Sequence, residues 1–287
     1  MGNPPPPSPR ISRARALGLT ALAMTGFAAN SLLCRQALLR TGTDEASFTL
    51  IRISSGTLAL GLIVRLRCGR FAIGGNWGSA IALFAYAACF SFAYRNLTAA
   101  TGALLLFFAV QSTMIGRGLR AGERLHPLQL TGLILAVVGL IGLLLPGLAA
   151  PPLVSAILML TAGVAWGIYS LRGRGAGDPT QVTAGNFLRA VFLTAAVSLV
   201  RIPLLSIDAL GVIYAVTSGA VASGVGYAIW YTALRGLKTT EAATVQLSVP
   251  VLAAAGGVLC LHEPLTWRLV LASTAILGGV SAVILAD

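Results

Sequence analysis

The sequence contains an internal repeat. Residues 93–145 align with residues 233–285 at a constant offset of 140 and without a gap. Each copy has an apolar stretch, a short loop that holds a glutamate, and a second apolar stretch. Because both copies must adopt the same local structure, the sequence predicts a protein of two similar halves. The positions that the two copies share are Ala93/Ala233, Arg95/Arg235, Leu97/Leu237, Ala103/Ala243, Gly116/Gly256, Glu123/Glu263, Leu125/Leu265, Gly139/Gly279 and Leu145/Leu285.

The composition places both halves in a membrane. The chain has 287 residues, of which 56% are hydrophobic and 10% charged, and its mean hydropathy is +0.86. A soluble domain carries about 25% charged residues, so this chain lacks the polar surface that water requires. Apolar stretches of about 20 residues can cross the hydrocarbon as helices. The predicted fold is an all-α integral membrane protein with ten transmembrane helices, at about 16–34, 47–66, 76–94, 98–117, 128–147, 152–171, 182–202, 209–234, 239–261 and 266–286.

The N-terminal region is interpreted as a disordered tail followed by a retained span. Residues 1–10 are rich in proline, and Arg10, Arg13 and Arg15 precede the apolar stretch 16–34. No small-residue cleavage site follows that stretch, so it is predicted to be a transmembrane helix and not a signal peptide. The predicted divisions are a cytoplasmic tail at 1–13, a first five-helix repeat at 14–148 and a second at 149–287.

The basic residues predict the orientation in the bacterial inner membrane. With a cytoplasmic N-terminus, thirteen basic residues fall in inner loops and five in outer loops, which is the bias expected of cytoplasmic loops. This bias accounts for the net charge of +12 without a nucleic-acid partner. Each half has an odd number of spans, so the second half enters the membrane upside down, with both termini cytoplasmic, Glu123 inside and Glu263 outside. This predicts an inverted-topology repeat, in which a substrate site lies near the midplane between the halves.

Two pairs of motifs occupy equivalent positions in the halves. Arg52 and Arg189 lie early in the second span of each half, and the loops before the last spans read Gly122-Glu123-Arg124-Leu125 and His262-Glu263-Pro264-Leu265. On these motifs the chain resembles the drug/metabolite transporter superfamily, and within it the ten-helix EamA-type exporters, including exporters of aromatic amino acids. The resemblance implies export of amino acids or related small metabolites. The second loop departs from the Gly-Glu-Arg pattern of the first.

Arg52 and Arg189 are the only charged residues that lie more than three positions from the ends of the predicted spans. The planar guanidinium of either could bind a substrate carboxylate. Alternatively, each could reach a helix end or hydrogen-bond backbone carbonyls and fix helix packing. Their equivalent placement favours the structural role, because one substrate does not need the same residue on both faces.

The absence of acidic groups within the spans bears on the driving force. All eight carboxylates fall in loops, at span edges or at the terminus, and His126 and His262 fall in loops. Proton-driven antiporters usually carry a titratable group within the membrane, so the sequence predicts facilitated transport or exchange of a neutral, zwitterionic or aromatic solute. The alternative is a proton-coupled metabolite or drug exporter of the same fold. A membrane-embedded enzyme or a scaffold is the alternative of another class.

The sequence gives no motif for other chemistry. Paired acids and His or metal ligands near the interface, which a lipid-modifying enzyme would need, are missing, and no Walker motif is present. The sequence therefore predicts no catalytic residue, metal, cofactor or ATP, and it leaves the oligomeric state open.

Polar and aromatic residues at mid-depth are predicted to bind the solute, with rings packing its apolar part and amides holding its polar end. Interhelical hydrogen bonding is the alternative role for the amides, since they must find partners in hydrocarbon. Trp230 and Tyr231 are assigned to the interfacial aromatic belt. Pro250, Gly256 and Gly257 are predicted to form a hinge in the ninth span, because proline removes a backbone hydrogen bond. The predicted substrate-binding residues are Asn30, Tyr86, Phe90, Gln111, Trp166, Tyr169, Asn186, Tyr227 and Gln246.

Overall fold

A computed structural model describes residues 12–69, 74–122, 126–145, 147, 150–173, 178–234, 237 and 245–285, and all regular secondary structure in them is helical. The helices are α1 (Arg13–Arg40), α2 (Glu45–Cys68), α3 (Trp77–Tyr94), α4 (Ala99–Arg120), α5 (Pro127–Leu144), α6 (Leu153–Gly173), α7 (Pro179–Val200), α8 (Ala209–Ala233), α9 (Ser248–Leu261) and α10 (Trp267–Leu285). Most bounds lie within a few residues of the predicted spans. The main differences are that α1 extends to Arg40 and α9 begins late.

Polar residues just before the apolar stretches fix where most helices begin. Each accepts a hydrogen bond from a backbone amide of the first turn, which has no acceptor within the helix itself. At α5 the cap is reciprocal, because the Gln129 side chain also accepts from the His126 amide. The capping residues are Ser12, Asp44, Asn76, Thr98, His126, Asp178 and Asp208.

The described residues include eight helices long and apolar enough to cross a membrane. The other two are shorter: α9 has 14 residues, and the apolar part of α10 is Trp267–Ala282. Helix α5 leaves large apolar side chains such as Leu128, Ile134 and Val138 more than half exposed. In water such a surface would be unfavourable, whereas lipid tails are as apolar as leucine. The fold is therefore that of a membrane protein.

Helix pairing brings early and late parts of the chain together. Helix α5 packs mainly on α10, α3 on α6, α2 on α7, and α1 on α8 and α9. Small residues allow the closest approaches, as membrane helices require. A β-carbon added at Gly163 would overlap the carbonyl oxygen of Leu106, so α6 lies against the backbone of α4.

Helix α8 contains a π-helical segment at Thr217–Val225. Such segments shift the register of a helix and are frequent at functional sites. Gly219 in this segment lies so close to α2 that a β-carbon would overlap the carbonyl oxygen of Arg52. The segment thereby places the buried Ser218 and Ser223 against the centre of the bundle.

The helix of the predicted ninth span is interrupted next to Pro250. The sequence predicted one helix over 239–261 that bends at Pro250; in the structure residues 245 and 246 are helical, Leu247 is a turn, and α9 begins at Ser248 with Pro250 in its first turn. The reason is that Pro250 cannot donate to the carbonyl of Gln246, and its ring crowds that carbonyl. Residues 238–244 lie outside the described part of the chain.

The glycines of the predicted hinge lie at close contacts. A β-carbon at Gly256 would overlap the side chain of Leu32, and one at Gly257 would lie 2.8 Å from Oε2 of Glu263. Both glycines therefore let α9 pack closely. A hinge at these positions stays a prediction.

Candidate functional site

A cavity lies among α1, α3, α4, α6 and α8, so its walls come from both sequence halves. The empty space around its lining residues, including the part that is open to the outside, is about 370 Å³. Little of it is wide enough for a water molecule, so the rings must move apart to admit a solute the size of an amino acid. We call it the central cavity. Its lining residues are Phe27, Asn30, Ser31, Tyr86, Phe90, Leu106, Phe107, Trp166, Ala222, Ser223 and Tyr227.

Trp166 is at the centre of the aromatic wall. Its ring centroid is 4.9 Å from that of Tyr86, 5.1 Å from Tyr227 and 6.3 Å from Phe27. Phe27 meets Trp166, Tyr227 and Trp230 edge to face, an arrangement that aromatic quadrupoles favour. The predicted residues Tyr86, Phe90, Trp166 and Tyr227 thus meet in one wall.

Asn30 supplies the polar part of the cavity. Its Nδ2 donates to Tyr86 Oη at 3.3 Å, and its Oδ1 accepts from Ser218 Oγ at 2.6 Å. These bonds join α1 to α3 and to the π-helical segment of α8. Asn30 therefore lines the cavity, as predicted, and also hydrogen-bonds between helices, which was the alternative.

Arg52 lies behind the cavity wall and is 1% exposed. Its Nη2 donates to Tyr86 Oη at 3.0 Å and its Nε to Ser223 Oγ at 3.4 Å. Its Cζ is 4.8 Å from the ring centroid of Phe90 and 5.3 Å from that of Tyr86. Within the described part of the chain, Nη1 has no hydrogen-bond partner.

Arg189 hydrogen-bonds backbone carbonyls, which is consistent with the packing role that the sequence favoured for both arginines. It is half-buried, and its Nη1 donates to the carbonyl oxygens of Gly74 and Gly185, each at 2.8 Å. Arg52 differs, because its hydrogen bonds go to side-chain hydroxyls at the cavity. The two arginines are equivalent in sequence but not in environment.

Tyr169 and Asn186 belong to a second, smaller cavity. Asn186 Nδ2 lies 3.5 Å from Tyr169 Oη, and its Oδ1 accepts from the Asn76 amide at 3.0 Å. The ring centroids of Trp166 and Tyr169 are 5.6 Å apart, so one aromatic pair joins the two cavities. The second cavity is lined by Ser79, Tyr169, Gly173, Pro179, Val182, Thr183, Asn186 and Tyr231.

Some residues have other positions than the sequence suggested. Gln111 and Gln246 are buried, at 2% and 7% exposed, but line neither cavity. Trp230 was assigned to the interfacial belt, yet it is 7% exposed and packs on Phe27, because α8 runs inside the bundle here. Tyr231 lines the second cavity.

Sequence reasoning missed the hydroxyls and part of the apolar wall. Ser31, Ser218 and Ser223 resemble the small residues of any membrane helix, so no pattern distinguishes them. For Phe27 a signal existed, because it is an aromatic residue at mid-depth of the predicted span 16–34.

An ionic cluster closes one end of the helix bundle. Arg35 Nε pairs with Glu263 Oε1 at 3.0 Å, and the other carboxylate oxygen accepts from the Ala99 amide at 2.8 Å. Arg35 Nη1 also donates to the carbonyls of Tyr94 and Arg95, at 3.0 and 2.9 Å. Glu263 is thus held in place by α1 and the start of α4. Its repeat equivalent Glu123, with Arg124 and Leu125, lies outside the described residues.

Comparisons with known proteins identify the family of the chain. Residues 153–285 match the sequence model of the EamA-like transporter family. An uncharacterised protein of Pseudomonas aeruginosa is 54% identical over 271 residues, which are 94% of each chain. The chain belongs to the EamA-like transporter family. The resemblance carried by the two arginines and the two glutamate loops is confirmed.

Two further comparisons concern a relative whose activity is known and a protein whose structure is solved. The threonine/homoserine exporter RhtA of Salmonella typhimurium is 33% identical to this EamA-like transporter over 161 residues, 53% of each chain. A solved crystal structure matches it with a TM-score of 0.68 and 19% identity, over 96% of this chain and 99% of the other. The latter likeness concerns the fold alone.

Proposed function

We propose that this EamA-like transporter exports neutral or aromatic amino acids, or related small metabolites, across the bacterial inner membrane. The central cavity carries the proposal, because its walls come from both halves and are mostly apolar with a few placed polar groups. Small-molecule sites have this character. Similarity to an exporter of threonine and homoserine supports amino acids as the substrate class.

We propose further that the protein works by alternating access of two inverted five-helix repeats, ten transmembrane helices in all. The packing of the helices supports this. In a repeat of this kind, each helix corresponds to the one five positions later in the chain. The α1–α8 contact then corresponds to the α6–α3 contact, which is also present, and the α2–α7 and α5–α10 contacts correspond to themselves. Transporters built from inverted repeats bind solute where the repeats meet, and the central cavity lies there.

The proposed driving force is the solute gradient or exchange. Among the described residues, Arg52 is the one charged residue that is buried as a whole, backbone and side chain together; no aspartate, glutamate or histidine is. A proton-coupled exporter remains the competing function, with Glu263 as its first candidate, since that carboxylate side chain is 8% exposed.

The test is counterflow of radiolabelled phenylalanine and threonine in proteoliposomes that contain only this protein. Trp166→Ala is expected to weaken apparent affinity about 10-fold or more, since several aromatic contacts, each worth about 0.5–1.5 kcal/mol, are lost together. Leu135→Ala on the exposed side of α5 is the control and should behave as wild type. Equal affinity for both variants at matched protein levels would place the site elsewhere.

The same vesicles test the driving force. Flux should persist after an ionophore collapses the proton gradient. Loss of flux with intact vesicles would favour the proton-coupled alternative.

A further inference from the structure

Arg52 is a buried cation in a membrane protein, which is a costly arrangement. The guanidinium is 1% exposed and bonds to groups on α3 and α8, so it does not extend toward a helix end. Charged residues within membrane spans are rare and mark substrate or ion pathways. Its position therefore calls for a compensating group.

The described residues compensate Arg52 only in part. Its two hydrogen bonds use two of the five guanidinium N–H groups, and both acceptors are neutral hydroxyls. The rings of Phe90 and Tyr86 add a cation–π contribution. In the part of the chain that the structure describes, no ion pair involves Arg52, and Nη1 is without a partner.

The guanidinium is nevertheless next to the cavity. Tyr86, Phe90 and Ser223 all contact Arg52, and all three line the central cavity. Once this wall opens, Nη1 and the second N–H of Nη2 are the guanidinium donors left for a solute. Two parallel N–H groups match the geometry of a carboxylate.

The cavity offers no comparable partner for a cation. None of its lining residues is an aspartate or glutamate. Asn30 Oδ1 already accepts from Ser218, and the ring faces can attract an ammonium but give it none of the directed, charge-assisted hydrogen bonds that a guanidinium gives a carboxylate. The electrostatic asymmetry of the site thus favours a negative group on the solute.

We propose that Arg52 binds the carboxylate of the transported solute and that this carboxylate is the required recognition element. The amino group is dispensable. This inference rests on the proposed function and makes it narrower: the substrates are small monocarboxylates with an apolar body, with or without an ammonium group.

The test is a ligand series on the purified protein, read by quenching of tryptophan fluorescence and by competition with phenylalanine counterflow. The series holds the phenyl group constant and consists of phenylalanine, 3-phenylpropionate, phenylalanine amide and phenethylamine. The two acids should bind within about 5-fold of each other. The amide and the amine should bind about 10- to 100-fold more weakly, as expected when a hydrogen-bonded charge is lost.

Variants assign the effect to Arg52. Arg52→Gln should weaken binding of both acids about 10- to 100-fold and leave the amide unchanged, while Arg52→Lys should restore part of the affinity because it keeps the charge but not the planar fork. Arg117→Gln, at an exposed arginine near the end of α4, is the matched control. If the Arg52 variants fail to fold, the ligand series on the wild-type protein decides alone.

The outcomes separate the two proposals. Equal binding of acid, amide and amine would overturn the role of Arg52 and leave amino-acid transport standing. Binding of phenylalanine but not of 3-phenylpropionate would show that the amino group is needed, and would also overturn the inference. If neither phenylalanine nor threonine is bound or carried but 3-phenylpropionate is bound, the amino-acid function fails and the carboxylate site stands. If none of the acids is bound, both proposals fail.

Discussion

At the scale of single residues, Asp44 links two parts of the chain. Its Oδ1 caps α2 by accepting from the Ala46 and Ser47 amides, both at 2.9 Å, and its Oδ2 accepts from the Ser206 amide at 3.0 Å. Partial burial would raise the pKa of Asp44, but the hydrogen bonds outweigh it and hold the pKa below its ordinary value of 3.8. The ionised form therefore stabilises the folded state.

Asp44→Asn is expected to lower the melting temperature in detergent at pH 7. Asparagine can still cap α2, but its amide group cannot accept from the Ser206 amide, so one hydrogen bond at this exposed site is lost, which costs about 0.5–1.5 kcal/mol. Because the folded pKa is lowered, the wild-type advantage is complete above pH 3.8 and should shrink as pH falls further through the folded value. Melting curves of both proteins from pH 7 to pH 3 measure this.

Asp208→Asn is the matched control for this substitution. The Asp208 side chain caps α8 through Leu210 and Gly211, and asparagine caps about as well as aspartate. An equal loss of stability in both variants would contradict the linking role of Asp44.

Three arginines show that residue type alone does not determine the role of a charged side chain. Arg35 pairs with a carboxylate, Arg189 bonds backbone carbonyls, and Arg52 contacts hydroxyls and rings. The sequence identified Arg52 and Arg189 as unusual because a charged residue within an apolar stretch can be recognised without knowing which way the helix faces. It could not separate their roles, because the role depends on which distant helix faces the guanidinium.

At the scale of helices, the α5–α10 contact predicts a reciprocal sensitivity to added volume. A β-carbon at Gly279 would overlap the carbonyl oxygen of Gly132, and one at Gly139 would lie 2.8 Å from the β-carbon of Ala275. Overpacking of this kind costs about 1–3 kcal/mol. Gly279→Ala and Gly139→Ala should therefore each lower the melting temperature, Gly279→Ala more, because it meets backbone.

The neighbouring glycines provide controls on the same helices. Gly278 and Gly142 have no atom within 4 Å of an added β-carbon. Alanine at either should be neutral or stabilise the helix by up to about 1 kcal/mol. Destabilisation by Gly278→Ala equal to that by Gly279→Ala would mean that the contact does not limit packing.

Helix positions were predictable because apolar stretches and polar caps are local signals. The π-helical segment of α8 was not, since it depends on the contact of Gly219 with the backbone of α2. Pro250 predicted a bend in the ninth span, but the sequence could not give its form, because whether proline bends a helix or interrupts it depends on the packing around it.

At the scale of the whole molecule, the ion pairs and the exposed helix ends allow the predicted orientation to be tested. Leu265 lies beside Glu263 at the end that holds the ionic cluster and is 59% exposed, while Cys68 is exposed at the end of α2. In a background without other cysteines, an impermeant thiol reagent on intact cells should label Leu265→Cys but not Cys68. Both should react after permeabilisation. Labelling of Cys68 alone would reverse the orientation.

The residue types of the candidate site were predictable from the sequence, but which of these residues share one cavity was only partly predictable. Five of the nine predicted binding residues line the central cavity, because rings and amides are conspicuous in apolar helices. Tyr169 and Asn186 were placed in the same site but line another cavity. Depth along a helix can be estimated from sequence, whereas the direction in which a side chain faces depends on helices that come much later in the chain.

The Arg35–Glu263 pair has a consequence for the making of the protein. Its partners are separated by 228 residues, and chains are synthesised at about 5–20 residues per second. Arg35 therefore leaves the ribosome roughly 10–45 s before the carboxylate that neutralises it exists. In the later part of that interval the growing chain holds α1 and α4 without the carboxylate that links them. Any nascent chain released before residue 263 keeps this end of the bundle charged and open.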